Sequence, residues 1–389
     1  MNLTAEYLGQ LVLAQLNRQT PPAIPEGLDL VHIMELSNAN HMDYLLLGGL
    51  LRAPNLPERF QQPLSCCVFQ SLQRTLTQVN ELKDLVRICE EKHIRNQPMK
   101  GSCMKFIYPS PETREMSDID ILIDQDRMDD IAQVLKDKGY TLFQSVRQHD
   151  VFTRDPYMVV EAHRTLYDKT IDKKQFQYFS SFSKTHLREG HSYTYDYTPE
   201  DFYVYMMAHM AKHFYARGCG IRNLVDVYVY LQQYRDSLNW DYVNKELETC
   251  GILKFTRQME SMAMVWLGGE TGTDFHDSLF DYMLNSGIYG KDENGVWSRF
   301  ADARIQQKDV SASTLKKWYY FPPLAYMAEL YPWVEDHSWL LPAAWCVRAF
   351  HGVFLKKDRH KQEMLHVIQD SDITVYREIY SKMGLHFKK

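Results

Sequence analysis

Apolar residues recur every three or four positions along the first part of the chain, the spacing typical of helices that bury one face. The first such helix is indicated by Leu8, Leu11, Val12 and Leu16. Prolines at positions 21, 22 and 25 separate it from the next helix. A later stripe that includes Leu76 predicts one long helix over about 63–92. We therefore expect residues 1–95 to form an N-terminal helical region.

The pattern changes after residue 95, where short apolar runs alternate with one helical stretch. Such runs are typical of strands. They cover 97–99, 117–123, 140–146, 151–154 and 157–163. The last two runs flank Asp155-Pro156, which indicates a hairpin, and the helical stretch covers 126–138. Residues 96–197 are therefore predicted to form a unit that mixes strands and helices.

A third region begins at Thr198. Thr198 suits the N-cap of a helix, Pro199 suits the first helical position, and the acids at 200 and 201 favour the positive end of the helix dipole. The remainder of the chain reads as helical, so residues 198–389 are predicted to form a C-terminal helical region. The predicted fold class is α+β, with the strand-rich unit embedded between two helical regions.

Composition narrows the function classes. The 389 residues carry a formal net charge of −6, which disfavours binding of long nucleic acid through a basic surface. The seven cysteines are odd in number and show no Cys-x-x-Cys spacing, which favours the reduced thiols of a cytoplasm. The longest apolar run, 44–51, is too short to span a bilayer. We expect a soluble, cytoplasmic protein that does not enter a membrane.

Two aspartates stand out in the most apolar predicted strand. Asp118 and Asp120 flank Ile119, and residues two apart in a strand point to the same face. Both carboxylates would therefore project together, away from Ile119 and Ile121. Adjacent carboxylates repel unless a cation lies between them. A hard divalent ion such as Mg²⁺ takes oxygen ligands of this kind, so the pair is a candidate metal site.

Lys100, Gly101 and Ser102 form a candidate phosphate-binding turn upstream of the acids. A glycine turn that opens a short helix over about 102–107 would present backbone N–H groups and a positive helix end to an anion. Either motif alone is common by chance. The order in which several motifs follow one another along the chain therefore carries more weight than any one of them.

That order resembles a known family. The similar segments are Met99-Lys100-Gly101, Tyr108-Pro109, Arg114, 117–123, Gly139-Tyr140 and Val160-Glu161-Ala162-His163. Together they resemble the polymerase-β-type nucleotidyltransferase superfamily, and within it the bacterial "uncharacterised nucleotidyltransferase" family. The resemblance is specific over about 98–166 and weaker over about 209–240. The gap between Gly101-Ser102 and Asp118 is longer than is usual in the superfamily.

The resemblance implies a nucleotidyltransferase-type mixed β-sheet and a metal-dependent transferase. Such an enzyme moves a nucleoside monophosphate from a nucleoside triphosphate to an acceptor hydroxyl and releases pyrophosphate. Asp118, Asp120 and Glu161 would be the catalytic carboxylates that hold Mg²⁺ or Mn²⁺, because holding two ions commonly takes more than two acids. The phosphate-binding residues would be Lys100, Gly101, Ser102 and Arg114, whose guanidinium fits phosphate oxygens. The alternative for Arg114 is a plain salt bridge to a surface acid.

Further residues are expected to line the cleft. His163 shares a strand face with Glu161 and would either support the acids through a hydrogen bond or contact the metal or substrate. The resemblance adds Lys212, His213, Arg222 and Asp226 as cleft lining. The alternative for these helical residues is an Arg222–Asp226 ion pair and a buried histidine.

Three functions remain open from the sequence. The first is the transferase, whose acceptor could be a sugar, another small hydroxyl compound, a nucleic-acid end or a protein side chain; the acidic charge makes a small molecule the expected acceptor. The second is an inactive relative that binds a nucleotide or a partner and regulates. The third is a zinc hydrolase built on His209 and His213, which are four residues apart on a predicted helix.

Overall fold

The structure is a computed structural model that describes residues 1–167, 173–290, 320–322, 324, 327–328, 331–334, 337–354 and 378–385. The N-terminal region is helical, as the apolar spacing predicts. Its elements are α1 (Leu3–Leu16), α2 (Leu30–Ala39), a π-helical turn (Asp43–Leu47), α3 (Gly48–Leu50) and α4 (Glu58–Glu91). Asn2 and Asp29 cap the first two helices by accepting hydrogen bonds from backbone N–H groups of the first turn.

The long helix α4 differs from its prediction in two ways. It begins at Glu58, five residues before Pro63, and this proline lies on an exposed surface in the second turn. Leu76 is 53% exposed, whereas Thr75 and Gln78 are buried. Gln78 is buried because its side-chain amide donates to the backbone oxygen of Met116 at 3.1 Å. The buried face of the helix therefore includes the polar Gln78, whereas the apolar spacing predicted that Leu76 would be buried.

A five-stranded mixed sheet follows, in the order β1-β2-β5-β4-β3. The elements of this part are β1 (Asn96–Pro98), α5 (Gly101–Met104), β2 (Ile119–Ile123), α6 (Met128–Asp137), β3 (Thr141–Ser145), β4 (His149–Arg154) and β5 (Met158–His163). The strands β2 and β5 are parallel, and the other neighbouring pairs are antiparallel. The predicted hairpin about Asp155-Pro156 is confirmed as β4 and β5.

The rest of the described chain is mainly helical. It contains α7 (Lys173–Tyr178), the two-stranded β6 (Thr185–Leu187) and β7 (Tyr195–Tyr197), α8 (Pro199–Arg217), α9 (Arg222–Tyr234), α10 (Trp240–Thr249), α11 (Leu253–Leu267), α12 (Asp274–Ser286) and α13 (Leu341–Phe354). Thr198 caps α8 as predicted, because its hydroxyl accepts the N–H of Asp201. Part of the predicted C-terminal helical region lies outside the described residues.

Two apolar cores hold these elements together. The smaller core lies between the sheet and helices α4 and α6, and it takes Ile119, Ile121 and Ile123 from β2. The larger core joins α1 and α2 to α8–α12 and takes Leu122 from the opposite face of β2. The alternation predicted for this strand is thus confirmed. The fold is α+β, with helices flanking a mixed sheet, whereas the boundaries at 95/96 and 197/198 stay a prediction.

Within the described residues, every helix falls short of the length or the apolar character needed to cross a bilayer.

Asn40 ties three parts of the larger core together. It follows α2 and is 0% exposed. Its Nδ2 donates to the backbone oxygens of Leu36 and Leu284, at 3.0 and 3.2 Å. Its Oδ1 accepts the backbone N–H of Ile221 at 3.0 Å. The end of α2, the end of α12 and the turn before α9 therefore meet at one side-chain amide.

Asn40→Ala should destabilise the fold, because it leaves the oxygen of Leu284 and the N–H of Ile221 buried and unpaired. We expect the free energy of unfolding, measured by urea denaturation, to fall by about 2–4 kcal/mol. Asn38→Ala changes an exposed asparagine near the end of α2 and is the matched control, with an expected change below about 0.5 kcal/mol. Equal losses in the two variants would contradict the role given to Asn40.

Candidate active site

The parallel pairing of β2 with β5 brings two acids side by side. Asp120 is the register partner of Glu161 on the neighbouring strand. Asp118 lies two residues before Asp120, immediately before β2. One carboxylate oxygen from each of the three acids lies within 4.8 Å of the others. The structure thus brings together the three acids that the sequence predicted would meet.

Two groups balance the negative charge. The Nζ atom of Lys100 lies 2.5 Å from Oδ1 of Asp120 and 3.9 Å from Oε2 of Glu161. Nε2 of His163 lies 2.8 Å from the same Asp120 oxygen and donates to it in the tautomer that carries the proton there. Burial alone would raise the pKa of Asp120, but the charge of Lys100 and the hydrogen bond from His163 lower it below its ordinary value. Asp120 is therefore ionised.

Asp118 has the opposite environment. Burial, and then the nearby charge of Asp120, raise its pKa to about 7. For Glu161, burial alone would raise the pKa, but the hydrogen bond from His163 and the charge of Lys100 bring it below its ordinary value. The cluster therefore contains two ionised carboxylates and a third that is partly protonated near neutral pH. A divalent cation would favour ionisation of all three.

Lys100 reaches the acids from a strained turn. Its backbone lies at φ 48° and ψ −123°, a region that residues with a side chain rarely adopt. Burial alone would lower its pKa, but the charges of Asp120, Asp118 and Glu161 raise it above its ordinary value. Lys100 therefore remains a cation. Strain of this kind is held in place by its surroundings and is common at functional sites.

A second group of buried charges lies on the helical side. Arg114 forms a two-pronged ion pair with Asp226 of α9: Nη2 lies 2.8 Å from Oδ2, and Nε donates to Oδ1 at 3.1 Å. Tyr108 donates to the same carboxylate at 2.8 Å. The Arg222–Asp226 pair offered as an alternative is not the one formed, since Arg222 donates to the backbone oxygen of Glu115 at 3.0 Å.

Positive charge near Arg114 is only partly neutralised. Nε of Arg222 is buried and has no hydrogen-bond partner among the described residues. Burial, followed by the charge of Arg114, lowers the pKa of Arg222 to about 10. Burial, followed again by Arg114, lowers the pKa of the fully buried Lys105 to about 7. Burial is the larger cause of both shifts, and the charge of Arg114, the second cause, adds a positive field that favours a bound anion.

The two groups of charges face one cavity of about 260 Å³. From the sheet side, its lining includes Lys100, Gly101, Asp118, Asp120 and Glu161. From the helical side and the loop that carries Arg114, it includes Arg114, His213, Arg222 and Asp226. Gly101 is needed where it lies, because a Cβ at this position would be 2.5 Å from Nη1 of Arg114. Most of the residues singled out from the sequence are thus assembled in one place.

Three predicted residues lie away from the cavity lining. Ser102 is 1% exposed, and its backbone N–H donates to the oxygen of Met99 at 2.9 Å, so its phosphate-binding role stays a prediction. Lys212 lies over the ring of Tyr167, 5.3 Å from its centre. His163 does not line the cavity, but its Nε2 lies within hydrogen-bond distance of Asp120. The predicted short helix after Gly101 is also shorter than expected, at four residues.

Other lining residues were not predicted from the sequence as parts of the site. The apolar part of the wall is formed by Met104, Met116, Phe202, Tyr205, Met206 and Tyr289. Helical spacing marks Phe202 and Tyr205 only as buried positions. Tyr289 reaches the cavity from a loop after α12 and stacks edge-on against His41 at 5.2 Å. Local sequence patterns do not predict a contact between residues so far apart in the chain.

His149 is a further missed residue. The pairing of β4 with β5 places it directly opposite His163, and its Nε2 lies 3.9 Å from Oε1 of Glu161. The sequence held a usable signal, because a hairpin centred on Pro156 that pairs Arg154 with Met158 also pairs 149 with 163. The strand predicted over 151–154 began two residues too late to show this.

His209 and His213 both line the cavity, and their Nε2 atoms are 3.0 Å apart. Burial, and then the charge of Lys100, lower the pKa of His213 to about 3, so this histidine is neutral. Among the described residues, the groups of three or more side chains able to hold a metal ion do not include this pair. The arrangement therefore gives no support to the zinc hydrolase hypothesis.

Comparison with known proteins agrees with the geometry. A family model described as uncharacterised nucleotidyltransferase matches residues 26–268. The chain belongs to this nucleotidyltransferase family. The resemblance noted in the sequence is thereby confirmed, and the matched residues include all those predicted for the site.

Other comparisons add less. No curated protein matches the chain. A crystal structure of an antigenic nucleotidyltransferase-like protein from Paracoccidioides brasiliensis is similar at 15% sequence identity, with a TM-score of 0.33. The similar part covers 51% of this chain and 94% of the other.

The donor set of this nucleotidyltransferase-family site fits a divalent cation. Its three carboxylates offer oxygen atoms, and the Lys100 ammonium already lies between two of them as a cation would.

Divalent-ion binding should depend on pH because of Asp118. This carboxyl must lose its proton to act as a ligand, so affinity should rise with pH until the pKa of Asp118 is passed, by up to about tenfold per pH unit. Calorimetric titration with Mn²⁺ at pH 5.5 to 8 would measure this. Asp118→Asn should bind more weakly and with a flatter pH profile. A wild-type affinity that is the same at every pH would contradict the raised pKa.

Proposed function

We propose that this member of the nucleotidyltransferase family is an active, metal-dependent enzyme. It would transfer a nucleoside monophosphate from a nucleoside triphosphate to a hydroxyl group and release pyrophosphate. The observation that carries the proposal is the meeting of three carboxylates with the buried cations Arg114 and Arg222 across one cavity. A nucleoside triphosphate with its metal ions carries the complementary charges, since its phosphates suit the arginines and its cations suit the acids.

The proposed ligands of Mg²⁺ or Mn²⁺ are Asp118, Asp120 and Glu161. When bound, such an ion supplies positive charge that stabilises the reacting phosphate and polarises the attacking oxygen. Lys100 keeps Asp120 ionised before the ion arrives, and His163 orients the same carboxylate through its hydrogen bond.

The remaining residues would position the triphosphate. Arg114 is held by Asp226 and by the backbone oxygen of Glu115, and Tyr108 fixes Asp226 through a hydrogen bond of its own, so the guanidinium is oriented before a phosphate arrives. Gly101 lets this guanidinium lie against the backbone. Lys100, Gly101, Ser102 and Arg114 together remain the proposed phosphate-binding set. His213, Arg222 and Asp226 are proposed as cleft lining, whereas the side chain of Lys212 is directed at Tyr167.

The reaction exchanges one bond at phosphorus for another. The acceptor oxygen forms a bond to the α-phosphorus while the bond from that phosphorus to the bridging oxygen breaks. The hydroxyl proton passes to a carboxylate of the cluster, and pyrophosphate leaves with the electron pair of the broken bond. Positioning and electrostatic stabilisation then account for most of the catalysis.

The acceptor is proposed to be a small hydroxyl compound. The cavity, at about 260 Å³, is small, and one side is lined by Phe202, Tyr205 and Met206, against which a flat or apolar group can pack. The net charge of −6 disfavours long nucleic acid. The cytoplasm remains the proposed compartment, in keeping with seven cysteines that are all free thiols.

A regulatory relative is the second candidate, and one observation favours it. The Lys100 ammonium lies 2.5 Å from Asp120, where it competes with a metal ion for the same oxygen. If Lys100 cannot be displaced, the chain would bind a nucleotide without turning it over.

Asp118→Asn together with Asp120→Asn should abolish transfer, because two of the three proposed metal ligands are lost. We expect pyrophosphate release to fall by at least about 1000-fold. The assay would supply each of the four ribonucleoside triphosphates with Mg²⁺ and the small-molecule fraction of a cell extract as acceptor source. Asp126→Asn, an exposed aspartate just beyond β2, is the matched control and should keep the wild-type rate. A double variant as active as the wild type would refute the assignment.

Calorimetric titration with the same nucleotides, with and without Mg²⁺, separates the enzyme from the regulator. The enzyme hypothesis expects binding that strengthens with Mg²⁺ and is followed by pyrophosphate release. Binding without release under all acceptor conditions would favour the regulator. Arg114→Met combined with Asp226→Asn, which avoids a lone buried charge, should weaken nucleotide binding by about tenfold or more, because one oriented guanidinium is lost. Unchanged binding in this variant would remove Arg114 from the phosphate-binding set.

A further inference from the structure

A second group of metal-binding side chains lies directly beside the three acids. The pairing of β4 with β5 sets His149 opposite His163, and Glu161 lies two residues before His163 on the same strand. One ligand atom from each of these three residues lies within 4.8 Å of the other two. The group therefore shares Glu161 with the carboxylate site but adds two imidazoles to it.

The distances within this group are close to those of a transition-metal site. Nε2 of His163 lies 3.2 Å from Oε2 of Glu161, and Nε2 of His149 lies 3.9 Å from Oε1 of the same carboxylate. Two ligands of a tetrahedral zinc ion, each about 2.0–2.1 Å from the metal, lie roughly 3.4 Å apart. Small side-chain rotations would bring all three residues onto one ion.

Hydrogen bonds within the protein do not account for His149. Its Nδ1 atom is buried and has no hydrogen-bond partner among the described residues. The 3.9 Å between its Nε2 and Glu161 is too long for a hydrogen bond. Buried polar atoms usually find a partner, so an imidazole left in this state beside a carboxylate needs an explanation. A bound cation on Nε2 would explain why this nitrogen faces Glu161 at a distance too long for a hydrogen bond. Nδ1 would then carry the proton and still lack a partner among the described residues.

We propose that His149, His163 and Glu161 bind a transition-metal ion such as Zn²⁺, and that this ion competes with Mg²⁺ or Mn²⁺ for Glu161. Two imidazoles and one carboxylate suit zinc, whereas magnesium prefers oxygen ligands alone. The two overlapping sites thus select different cations.

Competition follows from the shared ligands. An ion on His163 Nε2 uses the lone pair of that nitrogen, so the ring no longer donates to Asp120, which lies 2.8 Å away. The same ion occupies Glu161, the third proposed ligand of the carboxylate site. Binding of Zn²⁺ is independent of the proposed enzymatic function. Only its consequence, that Zn²⁺ would inhibit nucleotidyl transfer, depends on that function.

The test compares how substitutions in the two sites change the binding of two kinds of metal ion. It uses the full chain without nucleotide. Zn²⁺ binding is followed by calorimetry, and Co²⁺ binding by its visible absorption, which reports tetrahedral coordination. His149→Ala should weaken Zn²⁺ and Co²⁺ by at least about tenfold and leave Mn²⁺ affinity unchanged. Asp118→Asn should do the reverse. Glu161→Gln should weaken both kinds of ion, because both sites use this carboxylate.

Three further variants serve as controls for the assignment of the Zn²⁺ site. His149→Asn keeps a polar side chain of similar size, so it separates loss of a ligand from loss of folding. His186→Ala removes an exposed histidine and should leave Zn²⁺ binding unchanged. His213→Ala tests the other histidine pair and should also leave it unchanged. Zn²⁺ affinity that survives in both His149 variants, or that is lost in His213→Ala, would overturn the site.

Addition of Mn²⁺ to the Zn²⁺-loaded chain tests the competition. We expect each ion to weaken the other by at least about tenfold. Tight and simultaneous binding of both ions would overturn the shared-ligand part of the proposal. Because no step uses a nucleotide, a failure to detect pyrophosphate release has no bearing on either outcome.

Discussion

The side-by-side placement of Asp120 and Glu161 on parallel strands is the constraint on which the rest of the site depends. Three acids in a largely buried place repel one another and lose the solvation that water would give them. The chain meets this cost with a lysine and a histidine that converge on Asp120. The backbone strain at Lys100 is intelligible in this light, because the turn must aim an ammonium at the acids from the neighbouring edge strand.

On the opposite wall of the cavity, positive charge predominates. There the cations Arg114 and Arg222 outnumber the one acid, Asp226. Each wall thus keeps a net charge of its own sign, because Lys100 and Asp226 neutralise their neighbours only in part. Such separation costs stability, which proteins commonly accept at functional sites. It also makes the cavity dipolar, which suits a ligand that carries both phosphates and cations.

Patterns within one segment of the sequence were enough to predict features that depend on that segment alone. Alternation along one strand was enough to place Asp118 and Asp120 away from Ile119 and Ile121, and capping chemistry was enough to begin α8 at Pro199. The sequence could not show that Gln78 would be buried in place of Leu76, because its partner is a backbone oxygen far along the chain. For the same reason, the sequence offered only Arg222, on the same helix, as an alternative partner of Asp226. Contacts between distant segments, such as Tyr289 with His41, leave no periodic trace.

The ion pair between Arg114 and Asp226 links a loop before β2 to a helix more than a hundred residues later. Each member is buried and would be left as a lone charge without the other, which costs far more than losing both together. The two positions should therefore change together during evolution. Homologues in which a neutral residue replaces the arginine should also carry a neutral residue in place of the aspartate. The two positions should then covary in a sequence alignment of the family.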